Sequence, residues 1–211
     1  MKEKIIDILE FYKEIGVEYV RKLNITDKKS LLDETAKRVA LCKKCELSKT
    51  RTNPVFGDGN ISAEIMFVGE APGKDEDLQG KPFVGRAGKL FNEILKDIGL
   101  KREDVYIANC LKCRPPANRD PKPEELIACF DYLKEQIKII KPKVIGTLGR
   151  YSTYQLTSQK GALGTLRGRV FAYGSIKVVP LYHPAYLLRN PNAIDIFTND
   201  LKTIKELVKK R

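Results

Sequence analysis

Ile65-Met66-Phe67-Val68-Gly69-Glu70-Ala71-Pro72-Gly73 is a short apolar run that breaks off in a loop rich in glycine and proline. A strand with one wet face alternates polar and apolar residues, so a continuous apolar run reads as a strand covered on both faces. Similar runs recur at 105–111, 144–148 and 178–181. Helical spacing fills the intervals, notably Lys89 to Ile98 and Pro123 to Ile139, and the chain closes on an amphipathic stretch from Asn199 to Lys209. Strands alternating with helices predict an α/β fold, a parallel sheet with helices on both sides. In such sheets ligands bind beyond the C-terminal ends of the strands. That rule singles out Gly69-Glu70-Ala71-Pro72, Asn109 and His183-Pro184.

Upstream, apolar residues at 5, 8, 9, 12, 15 and 19 have helical spacing. Asn24 to Lys29 is polar and reads as a linker. Ser30 then opens a second helix, with Asp33 as its capping-box partner, and this helix runs into Cys42-Lys43-Lys44-Cys45. The organisation expected is a helical extension over residues 1–30 and one domain over 31–211.

The 211 residues are 42% hydrophobic and 31% charged, which excludes a disordered, collagen-like or disulfide-scaffold chain. No apolar run reaches the roughly 18 residues of a membrane span. The charged start Met1-Lys2-Glu3-Lys4 lacks the apolar core of a secretion signal, so a cytoplasmic, nucleoid-associated protein is expected. Lys and Arg number 39 against 27 Asp and Glu, a net charge of +12. That excess suits a polyanionic partner such as nucleic acid. A surface rich in Lys and Glu, of the thermophile type, accounts for it equally well.

The cysteines are Cys42, Cys45, Cys110, Cys113 and Cys129. In a cytosolic chain a C-x-x-C pair reads as a metal or redox motif rather than a disulfide. Four thiolates hold either zinc or an iron–sulfur cluster, and spacing does not separate the two. The loop Gly80-Lys81-Pro82-Phe83-Val84-Gly85-Arg86-Ala87-Gly88 precedes a helix whose first N–H groups can hold a phosphate. Phe83 lies in this loop outside any core pattern; it reads either as a stacking platform for a base or as simple loop packing. Asp75, Glu76 and Asp77 read as a solvated acidic turn. His183 is the chain's one histidine and stands at a strand end, flanked by Tyr182 and by Tyr186 to Arg189.

In this order, Cys42-x-x-Cys45, Val68-Gly-Glu-Ala-Pro-Gly73, the Gly80–Gly88 loop, Asn109-Cys-Leu-Lys-Cys-Arg-Pro-Pro116, Cys129 and His183-Pro184-Ala185 resemble the family 4 uracil-DNA glycosylases, the iron–sulfur type of thermophiles. The resemblance covers roughly residues 35 to 210. It implies a single three-layer α/β/α fold around a four-stranded parallel sheet. It also implies a 4Fe–4S cluster on Cys42, Cys45, Cys113 and Cys129, with Cys110 left as a buried free thiol. The expected partner is uracil-containing DNA, single- or double-stranded, bound by a monomer.

The resemblance also assigns roles. Phe83 stacks on a flipped base, and Asn109 matches the N3–H donor and O4 acceptor of uracil. Glu76 or its loop lies near C5, where thymine carries a methyl group. His183 donates to uracil O2. Related families carry aspartate where this chain has Ala71, which leaves Glu70 as the carboxylate for the sugar cation and water, Glu76 as second choice, and Ala71 contributing through its backbone. Arg86, Gly88 and Arg189 are expected on DNA, with Leu187 or Leu188 filling the gap in the stack. Three other readings compete: a non-catalytic iron–sulfur module binding nucleic acid, a glycosylase for another deaminated base, and a small electron carrier. Ile8-x-x-Phe11-Tyr12 is similar to the apolar plug of sliding-clamp-binding peptides, and an amphipathic helix packed on the domain is the competing reading.

Overall fold

A computed structural model describes residues 27–209. In chain order the elements are α1 (Lys28–Ala40), α2 (Leu47–Thr50), β1 (Asp58–Gly59), β2 (Ile65–Gly69), α3 (Lys74–Gln79), α4 (Arg86–Asp97), β3 (Tyr106–Asn109), α5 (Pro123–Ile140), β4 (Val144–Leu148), α6 (Arg150–Thr157), α7 (Leu163–Leu166), β5 (Phe171–Tyr173), β6 (Ile176–Leu181), α8 (Pro184–Arg189) and α9 (Ile194–Lys209). The sheet order is β1-β3-β2-β4-β6-β5.

The four inner strands are parallel and are the four apolar runs. Ile65 and Phe67 of β2 face one hydrophobic layer, where Phe91, Ile94 and Leu95 of α4 meet Phe197, Leu201 and Ile204 of α9. Met66 and Val68 face the other, against Leu133, Ile137 and Ile140 of α5 and Leu156 of α6. Both faces of β2 are dry, which is why its sequence does not alternate. Helices therefore cover both sides of the sheet, as expected.

The sheet has six strands rather than four. β1 and β5 add antiparallel edges of two and three residues. Strands that short show no periodicity. Other boundaries move as well. Asp27, not Ser30, caps α1, its carboxylate accepting from Ser30 N at 2.7 Å. α9 starts at Ile194, earlier than the expected Asn199. The acidic segment is the helix α3, in which Asp77 is buried and accepts from Thr52 N at 3.0 and 3.1 Å. The first helix and its Ile8, Phe11 and Tyr12 lie outside the described residues. No helix among the described residues is long and apolar enough to cross a membrane.

The chain passes from β2 to β3 on one side and then to β4 on the other. Strand order thus reverses at β2, and in open α/β sheets a ligand crevice lies at such a reversal.

Candidate active site

A cavity of about 500 Å³ lies beyond the C-terminal ends of β2, β3 and β6, within the usual range of roughly 300–1,000 Å³ for small-molecule sites. Glu70, Ala71, Glu76, Phe83, Asn109 and His183 all line it. Six residues spread over more than a hundred positions of sequence are brought together.

Asn109 ends β3, in register with Gly69 of β2. It is 2% exposed. Its Oδ1 is buried with no hydrogen-bond partner among the described residues. An unmet buried acceptor costs about 1–3 kcal/mol, so such atoms are rare and point to a ligand donor.

Phe83 adopts a left-handed backbone, φ 54°, and its ring lies 5.7 Å from Phe91 and 5.8 Å from His183. It is part of the core and a wall of the cavity at once, so loop packing and a stacking role coexist. Glu76 holds this loop: Oε1 accepts from Val84 N at 2.9 Å and Gly85 N at 2.8 Å. Gly88 lines the cavity, but packing explains why it is glycine. A Cβ there would stand 2.0 Å from Phe83 O.

Glu70 is half-buried, and its carboxylate makes no hydrogen bond or ion pair among the described residues. Burial pushes its pKa up to about 7, Asp120 adding to the rise and Arg150 opposing it. His183 caps α8, its Nδ1 accepting from Ala185 N at 3.1 Å. Burial, with Arg189 nearby, pulls its pKa down to about 4, against the pull of Glu76. The imidazole is neutral near pH 7. Because Nδ1 accepts, the proton sits on Nε2, which makes that nitrogen a donor.

The DNA-facing assignments divide. Arg189 lines the cavity and Arg86 is an exposed first residue of α4 outside its wall. Leu187 is a correction: it is fully buried in the α4–α9 layer and cannot enter a base stack. Leu188, one residue on, is 39% exposed. Sequence reasoning missed Asn118 and Arg119, which also line the cavity. Arg119 is held by Glu125 at 2.9 and 2.6 Å. The signal was present, since the Arg114–Arg119 loop follows the C-terminal end of β3. Arg150, paired with Asp120 beside Glu70, was missed too.

A second cavity has a separate lining. Cys42, Cys45, Cys113 and Cys129 line this small cavity with Arg51, Lys112 and Tyr132. Arg51 donates to Cys113 Sγ at 3.1 Å and the Lys112 N–H to Cys129 Sγ at 3.3 Å. Among the described residues no three His, Cys, Asp or Glu side chains converge on a single metal ion. Four thiols that line one site without three of them converging on a single point suit a cluster of several irons better than one zinc. Cys110 stands apart, buried on the sheet, with its pKa pushed up to about 12 by burial.

The uracil DNA glycosylase superfamily pattern matches residues 56–208. A type-4 uracil-DNA glycosylase of Archaeoglobus fulgidus is 48% identical over 85% of this chain and 94% of its own length. One of Saccharolobus solfataricus is 49% identical over 83% and 85%, and one of Thermotoga maritima 45% over 87% and 97%. The chain belongs to the uracil DNA glycosylase superfamily and, within it, to the type-4 uracil-DNA glycosylases.

Proposed function

We infer that this protein is a uracil-DNA glycosylase, which takes deoxyuridine out of DNA and hydrolyses its N-glycosidic bond. Uracil leaves, and the abasic site that remains is the starting point of base excision repair. The observation that carries the reading is the unpartnered Oδ1 of Asn109 at the cavity wall.

A base stacked in a duplex is out of reach of the cavity, so the nucleotide is flipped, at a cost of a few kcal/mol. The net +12 charge supplies phosphate attraction. Arg189, Arg86 and Arg119 are the side chains best placed for it, and Leu188 is the apolar group for the vacated stack. Phe83 stacks on the flipped base.

Asn109 Oδ1 accepts from uracil N3–H, and its amide group donates to O4. Cytosine presents the opposite pattern at both atoms and leaves buried groups unpaired, which supports strong rejection. Thymine is excluded by its methyl group, against the wall that includes Glu76.

As the glycosidic bond breaks, negative charge develops on uracil and positive charge on the sugar. The neutral His183 donates from Nε2 to uracil O2 and stabilises the departing anion. Glu70 is the carboxylate for the sugar cation and the attacking water. Glu76 has its Oε1 engaged by two backbone N–H groups, which favours Glu70 for this role. Ala71 offers only its backbone.

Cys42, Cys45, Cys113 and Cys129 would hold a 4Fe–4S cluster, whose iron–thiolate bonds would tie the segment after α1 to α5 and to the loop after β3. The part such a cluster would play is to hold these segments together. Excision from an oligonucleotide with one uracil, followed by alkali, tests the whole reading. Alkali-dependent cleavage lost in Asn109→Ala and His183→Ala supports it. DNA binding without cleavage by the wild type overturns it in favour of a non-catalytic module.

A further inference from the structure

Lys112 is 1% exposed, an unusual place for a lysine. A buried ammonium needs partners, because desolvation otherwise costs more than burial returns. Its Nζ donates to Asn109 O at 2.8 Å and to Gln136 Oε1 at 2.6 Å, with the Phe56 ring 5.9 Å away. Nζ has hydrogens for both bonds whether it is charged or neutral. Gln136 is itself fixed, donating to Phe56 O at 2.9 Å and to Tyr106 Oη at 3.1 Å.

The bond to Asn109 falls on a particular peptide unit. Asn109 O and Cys110 N–H belong to the same plane. Cys110 N donates to Gly69 O at 3.0 Å, while Lys112 holds the carbonyl. Both polar groups of that plane are therefore tied down, which fixes the backbone from which the Asn109 side chain projects. The amide that meets the base has no other restraint at Oδ1.

The main chain of Lys112 points the other way. Its N–H meets Cys129 Sγ at 3.3 Å, and its carbonyl accepts from Val55 N at 2.7 Å. One residue is thus anchored to the cysteine site by its backbone and to the base-reading strand end by its side chain.

We propose that Lys112 is a positioning residue for uracil recognition, holding Asn109 in register by bonding its carbonyl from a backbone seated on the cysteine site. This rests on the uracil reading of Asn109. It gives the four cysteines a consequence in the pocket, since a shift of the Cys113–Cys129 region moves the lysine and, with it, the peptide that carries Asn109.

The test compares Lys112→Met, Gln136→Leu and Asn109→Ala in otherwise intact protein. Three quantities are measured: inhibition by free uracil, affinity for DNA carrying a stable abasic-site analogue, and iron per chain. Lys112→Met is expected to weaken uracil inhibition at least tenfold, and Gln136→Leu roughly threefold, with abasic-DNA affinity and iron content within twofold of wild type. Uracil inhibition unchanged in both variants, while Asn109→Ala weakens it, overturns the role of Lys112 and leaves the uracil reading standing. Loss of iron and of abasic-DNA binding in Lys112→Met, with Gln136→Leu silent, also overturns it, since the lysine is then only a structural support. Unchanged inhibition in Asn109→Ala overturns the uracil reading itself and the proposal with it.

Discussion

Gly69 and Asn109 face each other across the β2–β3 pair, and a Cβ on Gly69 would stand 2.3 Å from Asn109 Oδ1 and 2.8 Å from the Phe83 ring. The glycine leaves the room in which the amide and the ring both sit. Gly69→Ala forces one of them to move. Cleavage of uracil DNA is expected to fall by about a hundredfold, close to 2.7 kcal/mol of transition-state stabilisation. Free uracil should inhibit correspondingly less well, while the circular dichroism spectrum keeps its native shape. Full activity in this variant would show that Asn109 does not read the base.

The carboxylate of Glu70 sets the pH response. With its pKa raised to about 7 by burial and Asp120, Glu70 is protonated on the acid side and becomes the useful anion as pH rises. The single-turnover rate should therefore climb with pH through a midpoint near 7. Asp120→Asn removes a raising influence and moves the midpoint down; Arg150→Met removes a lowering one and moves it up. His183, lowered to about 4, stays neutral across this range, so His183→Ala reduces the rate and leaves the midpoint in place. The same groups act on stability with opposite signs. Glu70 binds more protons folded than unfolded, so its contribution falls as pH rises from about 4.5 to 7. His183 binds fewer, so its contribution falls as pH drops from about 6.5 to 4. A rate profile flat from pH 5 to 9 would remove Glu70 from the mechanism.

Leu187 and Leu188 are adjacent on α8 and have opposite surroundings. Leu187 is fully buried, Leu188 39% exposed. Leu187→Ala should cost about 2–5 kcal/mol of stability, visible as a lower melting temperature. Leu188→Ala should leave melting unchanged and slow excision from double-stranded DNA about tenfold, with single-stranded DNA cleaved at nearly the wild-type rate. Equal slowing on both substrates would mean that Leu188 fills no gap in a stack.

The contrast between those two leucines marks where sequence stops being informative. The four inner strands were legible because their apolar runs are continuous, and Glu70, Asn109 and His183 were legible because each stands at or just past the end of such a run. Leu187 and Leu188 differ only in which side of a six-residue helix they occupy, and so short a helix shows no period. β1 and β5 were invisible for the same reason. Glu76 and Asp77 looked solvated because backbone N–H groups as partners leave no trace in the sequence. Lys112 was hidden by composition, as one lysine in a strongly basic chain whose burial only the packing of α5 on β3 reveals.

Arg119 owes its position at the cavity wall to Glu125, whose side chain is 2% exposed and also accepts from Lys122 N at 2.9 Å at the start of α5. The Arg119 guanidinium and that N–H hold the Glu125 carboxyl below the ordinary carboxylate range. The pair is therefore intact at neutral pH, and its contribution to stability is lost as pH falls through the lowered pKa. Glu125→Gln keeps the shape and removes the charge. It should cost about 1–2 kcal/mol, since charge-assisted bonds are worth more than neutral ones, or roughly 2–8 °C in melting temperature. Freed of its partner, Arg119 no longer projects in one direction, so affinity for abasic-site DNA should fall several-fold at low salt and the salt dependence should flatten. Loss of stability with DNA affinity and salt slope both unchanged would show that Arg119 braces the loop after β3 without touching the DNA.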